Sequence, residues 1–340
     1  MSFIRFSNQD IVNNTAKITT STWTNNTNEL TSAHLTSSTQ ATFGSPTSSG
    51  AHYIEVYNAD ATLSTSEVQY AVAYGNRGGS GSLNFTHAVG GFGKSPSRNI
   101  YSQYRQLVFG TETQDFNFTD RTPDDIYVIN INRSRYKHNL KPGSLNLKVG
   151  NLLLTDDSIT STGSSTITNA GRQFNIVSGS NGVRLGSSTV QVTNSGSYGF
   201  FYPDSGFIIL NADCLDAAVA VGGTALGTVV TANNDAQNHK KFLNKINTGA
   251  SFIVDSEEKV SSTFYFARAR NYEFNYTTNP SFVDKNGNIL INSMIDNPTS
   301  YITTVGMYND AGDLLAVAKL SQPITKDFTK EALVRIKLDY

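Results

Sequence analysis

Apolar and polar positions alternate most clearly at the C-terminal end of the chain. Within 332–340, Ala332, Val334, Ile336, Leu338 and Tyr340 share one parity, and Arg335, Lys337 and Asp339 share the other, with Leu333 as the exception. A period of two with one apolar side predicts a half-buried strand. Upstream, the runs 302–308 and 314–320 flank Asp310, Ala311, Gly312 and Asp313, a turn whose glycine suits a positive φ. This spacing predicts a hairpin, so the chain is expected to end in a hairpin and a third strand, ordered by pairing.

The same reading predicts strands at 18–23, 52–57, 68–74, 126–131 and 144–149. Shorter ones are expected at 151–155, 165–167, 173–177, 190–193 and 207–210, then at 251–254, 263–269 and 289–291. Two stretches have helical spacing instead. Ser95 suits an N-cap and Pro96 a first turn; Ile100, Tyr101, Tyr104, Leu107 and Val108 then recur along one face, and Gly110 suits the end. The second helix is expected at 235–246, with Phe242, Leu243 and Ile246 on one face and Gly249 beyond its end. Phe116 and Phe118 form a short alternating piece, and 217–230 is small and apolar without an assignable period.

The expected fold is therefore mainly β: a β-sandwich-like body with two short helices and an inserted small β-domain. Residues 1–50 read as an extended N-terminal arm or as an irregular edge of the first domain. The body is expected from 51–145 and 235–340, with 146–234 inserted as short strands separated by Gly, Ser and Thr. At 340 residues the chain is long enough for two or three domains.

Charged residues make up 16% of the chain and the net charge is −1, so there is no bulk attraction to nucleic acid or to anionic membranes. With 16 Tyr and 19 Phe spread along it, the chain has enough apolar material to fold. Cys214 is the only cysteine, which excludes an internal disulfide. No signal peptide or membrane span is expected.

Candidate chemistry is thin. Ala88 to Ser95, AVGGFGKS, approaches a phosphate-binding loop but lacks its first glycine; a surface or interface loop is the expectation. The five histidines are isolated, which argues against zinc. Asp124-Asp125, Asp156-Asp157 and Glu257-Glu258 are adjacent, so in strands they point apart, and turn or cap duty is expected of them. Asp284 to Asn288 reads as a turn rather than a calcium loop, since the distal Glu is missing. No catalytic residue, cofactor or metal is assigned. Two basic-aromatic clusters stand out: Arg133, Arg135 and Tyr136 suit local salt bridges or subunit contacts, and Arg268 and Arg270 suit subunit contacts, as do Tyr301, Tyr308 and Tyr340, because Arg and Tyr are favoured anchors at interfaces.

Four stretches together carry a resemblance. They are YAVAYGNRGGSGSLNFTHAVGGFGKSPSRNIYSQYRQLVFG, DDIYVININRSRYKHNLKPGSLNL, FARARNYEFNYTTNPSF and the closing YITTVGMYNDAGDLLAVAKLSQPITKDFTKEALVRIKLDY. The set resembles a family of virion structural proteins of marine contractile-tailed phages, the cyanophage-type myoviruses. The likeness spans most of the chain and is weakest in 151–231. It implies a particle component rather than an enzyme, made in the host cytoplasm and carried in the virion, with other virion proteins and copies of itself as partners. The pattern V-G-x-Y-x-D-x-G-x-L-L-A-V-A over 305–318 is similar to modules of baseplate-associated and tail-fibre-attachment proteins. That implies a tail or baseplate position, with neck and capsid as alternatives. A receptor- or carbohydrate-binding tail module and a tail-borne hydrolase are the competing classes. The first needs exposed aromatic side chains, and the second needs spaced carboxylates in a cleft.

Overall fold

The computed structural model describes residues 4–31, 35–36, 53–81, 96–119, 121–160, 165–185, 191–192, 196–230, 237–277 and 279–340. The fold is mainly β. The chain forms two compact units: a central one, Ile18–Glu258, and a terminal one made of Met1–Lys17 and Lys259–Tyr340.

The central unit is built on a 13-stranded sheet that pairs antiparallel throughout. With strands numbered along the chain, its first edge holds β2 (Glu29–Thr31), β17 (Ser251–Ile253), β8 (Asn146–Val149) and β9 (Leu152–Asp156). The middle follows as β11 (Gly171–Ser180), β15 (Gly199–Tyr202), β16 (Phe207–Asn211), β6 (Asp125–Ile131) and β5 (Val68–Asn76). The far edge is β4 (Tyr53–Tyr57) and β3 (Leu35–Thr36), while β10 (Thr166–Thr168) and β12 (Val183–Arg184) extend β11. A separate pair is formed by β13 (Gln191–Val192) and β14 (Gly196–Ser197).

Both faces of the middle strands are covered. On one side Ala73, Ile126, Val128, Phe200, Tyr202, Phe207 and Ile209 pack with Tyr101 and Val108 of helix α1 (Pro96–Phe109). On the other, Val72, Tyr74, Tyr127, Ile129, Phe201, Ile208 and Leu210 pack with Phe242, Leu243 and Ile246 of α3 (Asn238–Gly249) and with Cys214 and Leu215 of the short α2 (Ala212–Asp216). The register agrees with this division, since Ile129 pairs with both Val72 and Ile208 and Val128 with both Ala73 and Ile209. Every residue of β15 and β16 is buried. A strand enclosed on both faces has no polar side, so Gly199–Tyr202 carries no alternation and was not among the expected strands.

Aromatic rings fill the α1 side. Phe116 and Phe118 do not form a strand; they lie in a loop, fully buried. Phe118 stacks on Phe200 at 4.9 Å, Phe116 meets Tyr101 edge-on at 5.4 Å, and Tyr202 stacks on Phe207 at 4.6 Å. On the α3 side Trp23, Tyr70 and Phe252 form a triangle of rings 5.0–6.1 Å apart, and the indole N–H donates to the carbonyls of Asn28 and Phe252 at 3.1 Å.

The second helix begins later than expected and includes Gly249. That glycine is required by close packing: a Cβ there would lie 2.1 Å from the Lys148 carbonyl oxygen. Ala250 takes the left-handed cap instead, at φ 54°, and donates to the Ile246 carbonyl. The phosphate-loop-like stretch at 88–95 lies outside the described residues. The run 289–291 is not a strand; Ile289 makes only an isolated bridge to Val283.

The domain boundaries also differ from the expected ones. Residues 146–234 are not a separate insertion, because β9, β11, β15 and β16 hydrogen-bond in one sheet with β5 and β6. The described part of the expected arm, 4–31 and 35–36, pairs and packs with the rest of the chain. Trp23 is in the central core, and β1 (Ile11–Ser21) lies in a sheet of order β1-β18-β21, with β18 at Asp255–Ala269 and β21 at Ala332–Asp339; residues 37–50 lie outside the described residues.

In the terminal unit, β18 (Asp255–Ala269) pairs from Ser262 to Ala269 with β21 (Ala332–Asp339). Residues Ser256 and Glu257 of β18, which belong to the central unit, pair with β7 (Asn139–Leu140). The hairpin of β19 (Ser300–Tyr308) and β20 (Leu314–Lys326) forms with the expected turn. Met307, Val334 and Ile336 are its fully buried apolar cluster, with Tyr265, Ala267, Val305, Ala316, Ala318, Leu320, Ile324 and Leu338 half-buried around them. Replacing Ile336 with Asp places an unpaired charge in this small core. A loss of roughly 3–5 kcal/mol in urea unfolding is expected.

Asp156, at the end of β9, is fully enclosed and accepts the Gly143 N–H at 2.7 Å. Burial pushes its carboxyl above the ordinary carboxylate value, outweighing the hydrogen bonds that stabilise the anion. A carboxyl with a raised folded value contributes stability that is fully present below the unfolded value of about 3.9 and is lost as pH rises through the folded one. The wild-type urea midpoint should therefore fall relative to that of Asp156→Asn as pH rises from about 4 toward neutrality. A constant difference across that range would contradict this.

Candidate assembly surface

The hairpin β19–β20 has two faces of different fate. Val305, Met307, Ala316 and Ala318 face the small core. On the opposite face Gly306 pairs with Val317, and Tyr308 pairs with Leu314. A Cβ built on Gly306 would lie 3.0 Å from the Tyr308 ring and 3.4 Å from Leu314, so those two side chains lie over the glycine. Register shifts between Met307 and Tyr308, where β20 carries Leu315 as an extra residue. Tyr308, Leu314, Leu315 and Val317 together make an exposed apolar patch, with Leu315 65% exposed.

This patch is part of a wider pattern. More than half of the large apolar side chains exposed among the described residues belong to the terminal unit, which holds under a third of the chain. Tyr272, Phe274, Tyr276, Leu290, Ile291 and Ile295 are exposed along its irregular segment 270–299, and Phe328, Leu333 and Tyr340 near its end. Single exposed apolar residues are ordinary; a concentration of them on one unit is the kind of surface that makes it a candidate for interaction.

One buried cation organises that segment. Lys326, at the end of β20, is fully enclosed, and its Nζ donates to the Asn271 carbonyl (3.0 Å), Asn275 Oδ1 (2.6 Å) and the Asp327 carbonyl (3.0 Å). All three ammonium donors are thus used. The next turn is closed by Asp327, which accepts from the Thr329 side chain and backbone and pairs with Lys330 at 3.1 Å. Those contacts, with the Thr329 hydroxyl the largest, hold its carboxyl down at about 2.

The residues expected at interfaces separate into two groups. Arg268, Arg270, Tyr301, Tyr308 and Tyr340 lie on the terminal unit and are exposed. Arg268 pairs with Glu331 at 2.8 Å, Arg270 donates to the Tyr272 hydroxyl, and the Tyr340 hydroxyl bonds Thr263 Oγ1 at 2.9 Å, so the two arginines and Tyr340 are pre-positioned. Arg133, Arg135 and Tyr136 belong to the central unit; Tyr136 is buried and Arg135 half-buried, while Arg133 stays exposed. Tyr136 is 6% exposed and packs over Gly206; Arg133 stacks on its ring at 4.6 Å and donates to its carbonyl; Arg135 spans Thr24 and Glu67. The contacts of Arg135 and Tyr136 join segments far apart in sequence, which no local pattern reveals. Leu314, Leu315 and Val317 were missed as surface residues, although the run LLAVA carries its own signal: it has no polar parity, so both faces of that strand are apolar.

The adjacent carboxylates have more varied places than turn duty. Asp125 is part-buried and accepts from Tyr74 and Asn76, with burial pushing its carboxyl upward. Glu257 and Asp156 are buried, while Asp124 pairs with Arg77 at 2.5 Å. Asp284 caps its own turn by accepting the Asn286 and Asn288 N–H groups at 2.8 Å. Cys214 is buried against Asn211 and the Ser197 carbonyl. Among the described residues, no three His, Cys, Asp or Glu side chains gather as a metal site, and no helix is long and apolar enough to cross a membrane.

Comparison of the chain with family models, with curated proteins and with solved structures finds no match.

Lys326→Met leaves three buried acceptors without their donor. A loss of roughly 2–4 kcal/mol is expected, with faster amide exchange confined first to 271–277. Unchanged exchange there would show that the lysine does not hold the segment.

Proposed function

We propose that this chain is a structural protein of a contractile-tailed phage particle, held in the tail or baseplate by contacts with copies of itself and with other virion proteins. The observation that carries the reading is the terminal unit, which has a small buried core and a concentration of exposed Tyr, Leu, Val and Phe side chains. Covering that surface removes apolar area from water and adds the stability that a small core lacks. Low overall charge supports the same reading, since charge is depleted at buried interface centres. The sequence resemblance supplies the particle, and the 305–318 pattern supplies the tail or baseplate position; neck or capsid is the alternative location for the same kind of contact. Repeated copies in a symmetric particle multiply weak contacts.

Mass spectrometry of gradient-purified particles is expected to find the chain in fixed stoichiometry. Leu315→Lys and Val317→Lys place charges on the outer face of the hairpin, where the fold tolerates them, and are expected to reduce incorporation at least tenfold. Absence from particles, or full incorporation of both variants, would overturn the reading.

A further inference from the structure

A cleft of about 550 Å³ opens in the central unit. Its volume is in the range of small-molecule sites. Three pieces of chain build it: the turn Gly150, Asn151, Leu152 between β8 and β9, the stretch Val219 to Leu226, and the outer face of α3 with Lys241, Asn244, Lys245 and Thr248. Those α3 residues recur at helical spacing on the side opposite Phe242, Leu243 and Ile246, so the same helix that closes the core presents a polar face to the cleft.

The walls are fixed by their own contacts. Gly150 sits at φ 60° and donates its N–H to the Lys245 carbonyl at 2.8 Å, which ties the turn to the helix. The Tyr198 hydroxyl donates to the Gly222 carbonyl at 2.9 Å. A Cβ on Gly223 would lie 2.0 Å from the Ala217 carbonyl oxygen, so only glycine fits there. The two ammonium groups are oriented by backbone carbonyls: Lys241 Nζ donates to Gly227 O at 3.1 Å and Lys245 Nζ to Thr224 O at 2.9 Å. The lining thus holds two cations and, among the described residues, no carboxylate.

We propose that this cleft binds an acidic sugar, a ring bearing a carboxylate or a phosphate. The lysine pair meets the acid group as two point charges with several donors each. Asn151, Asn244 and Thr248 offer amide and hydroxyl groups matched to ring hydroxyls. Leu152, Val219 and Leu226 supply the apolar wall against which the C–H face of a ring packs. This site stands independently of the virion reading, since it uses only residues of the central unit.

Titration calorimetry on the full chain tests it, with glucuronate, glucose 1-phosphate, glucose and inorganic phosphate as probes. One or both acidic sugars are expected to bind, with glucose at least tenfold weaker. Lys245→Gln keeps an N–H for the Thr224 carbonyl and, like Lys241→Gln, is expected to weaken acidic-sugar binding at least tenfold with unchanged thermal unfolding. Val219 is exposed at the cleft, so Val219→Trp is expected to block binding without disturbing the fold. Equal binding of glucose, binding that survives both lysine substitutions, or binding of inorganic phosphate with neither acidic sugar would each overturn the proposal. So would the absence of binding by every probe.

Discussion

A strand covered on both faces has no side on which a charge can be solvated, and the middle of the large sheet consists of such strands. Much of the central unit follows from that constraint. β15 and β16 contain no charged residue, and their side chains join two apolar clusters, one that includes α1 and one that includes α3. The carboxylates that border this region are placed where backbone or side-chain donors reach them, as with Asp125 beside Tyr74 and Asn76 and Asp156 beside the Gly143 amide. An unpaired charge in such a place costs several kcal/mol. Aromatic rings rather than aliphatic chains fill the α1 face, so two loop residues, Phe116 and Phe118, complete a core that the strands alone do not close.

The terminal unit obeys a different balance. Its sheet and hairpin enclose only a few side chains fully, and a buried lysine rather than apolar packing holds the segment 271–277. The apolar side chains that a larger core would absorb are left on the surface, with arginines and Tyr340 beside them already oriented by hydrogen bonds. A small unit of this kind gains most from association, which is the physical basis for the assembly role proposed for it.

The two surfaces differ in chemistry as well as in place. The terminal unit offers wide apolar area to a macromolecular partner. The α3 cleft offers two cations and a short polar rim to something small. α3 serves both the core and the cleft because helical periodicity sends Phe242 and Ile246 one way and Lys241 and Lys245 the other.

Local pattern was enough to determine the closing hairpin, the strand 332–339, the first helix and the mainly-β class, because each depends on contacts between near neighbours or on one parity of side chains. The exposed side of LLAVA was equally legible in its unbroken apolar run. The tertiary structure alone decided the rest. GFFY at 199–202 is a strand with both faces buried in apolar clusters, and no parity records that. Residues 146–234 join the same sheet as β5 and β6 because β9, β11, β15 and β16 find partners far along the chain. Tyr136 and Arg135 turn inward because Gly206, Thr24 and Glu67 are brought beside them. Lys326 is buried because Asn271 and Asn275, from another segment, join the neighbouring Asp327 carbonyl around its ammonium group. Composition and spacing record which groups a chain carries; which of them are paired and which are left exposed is settled only when distant segments pack together.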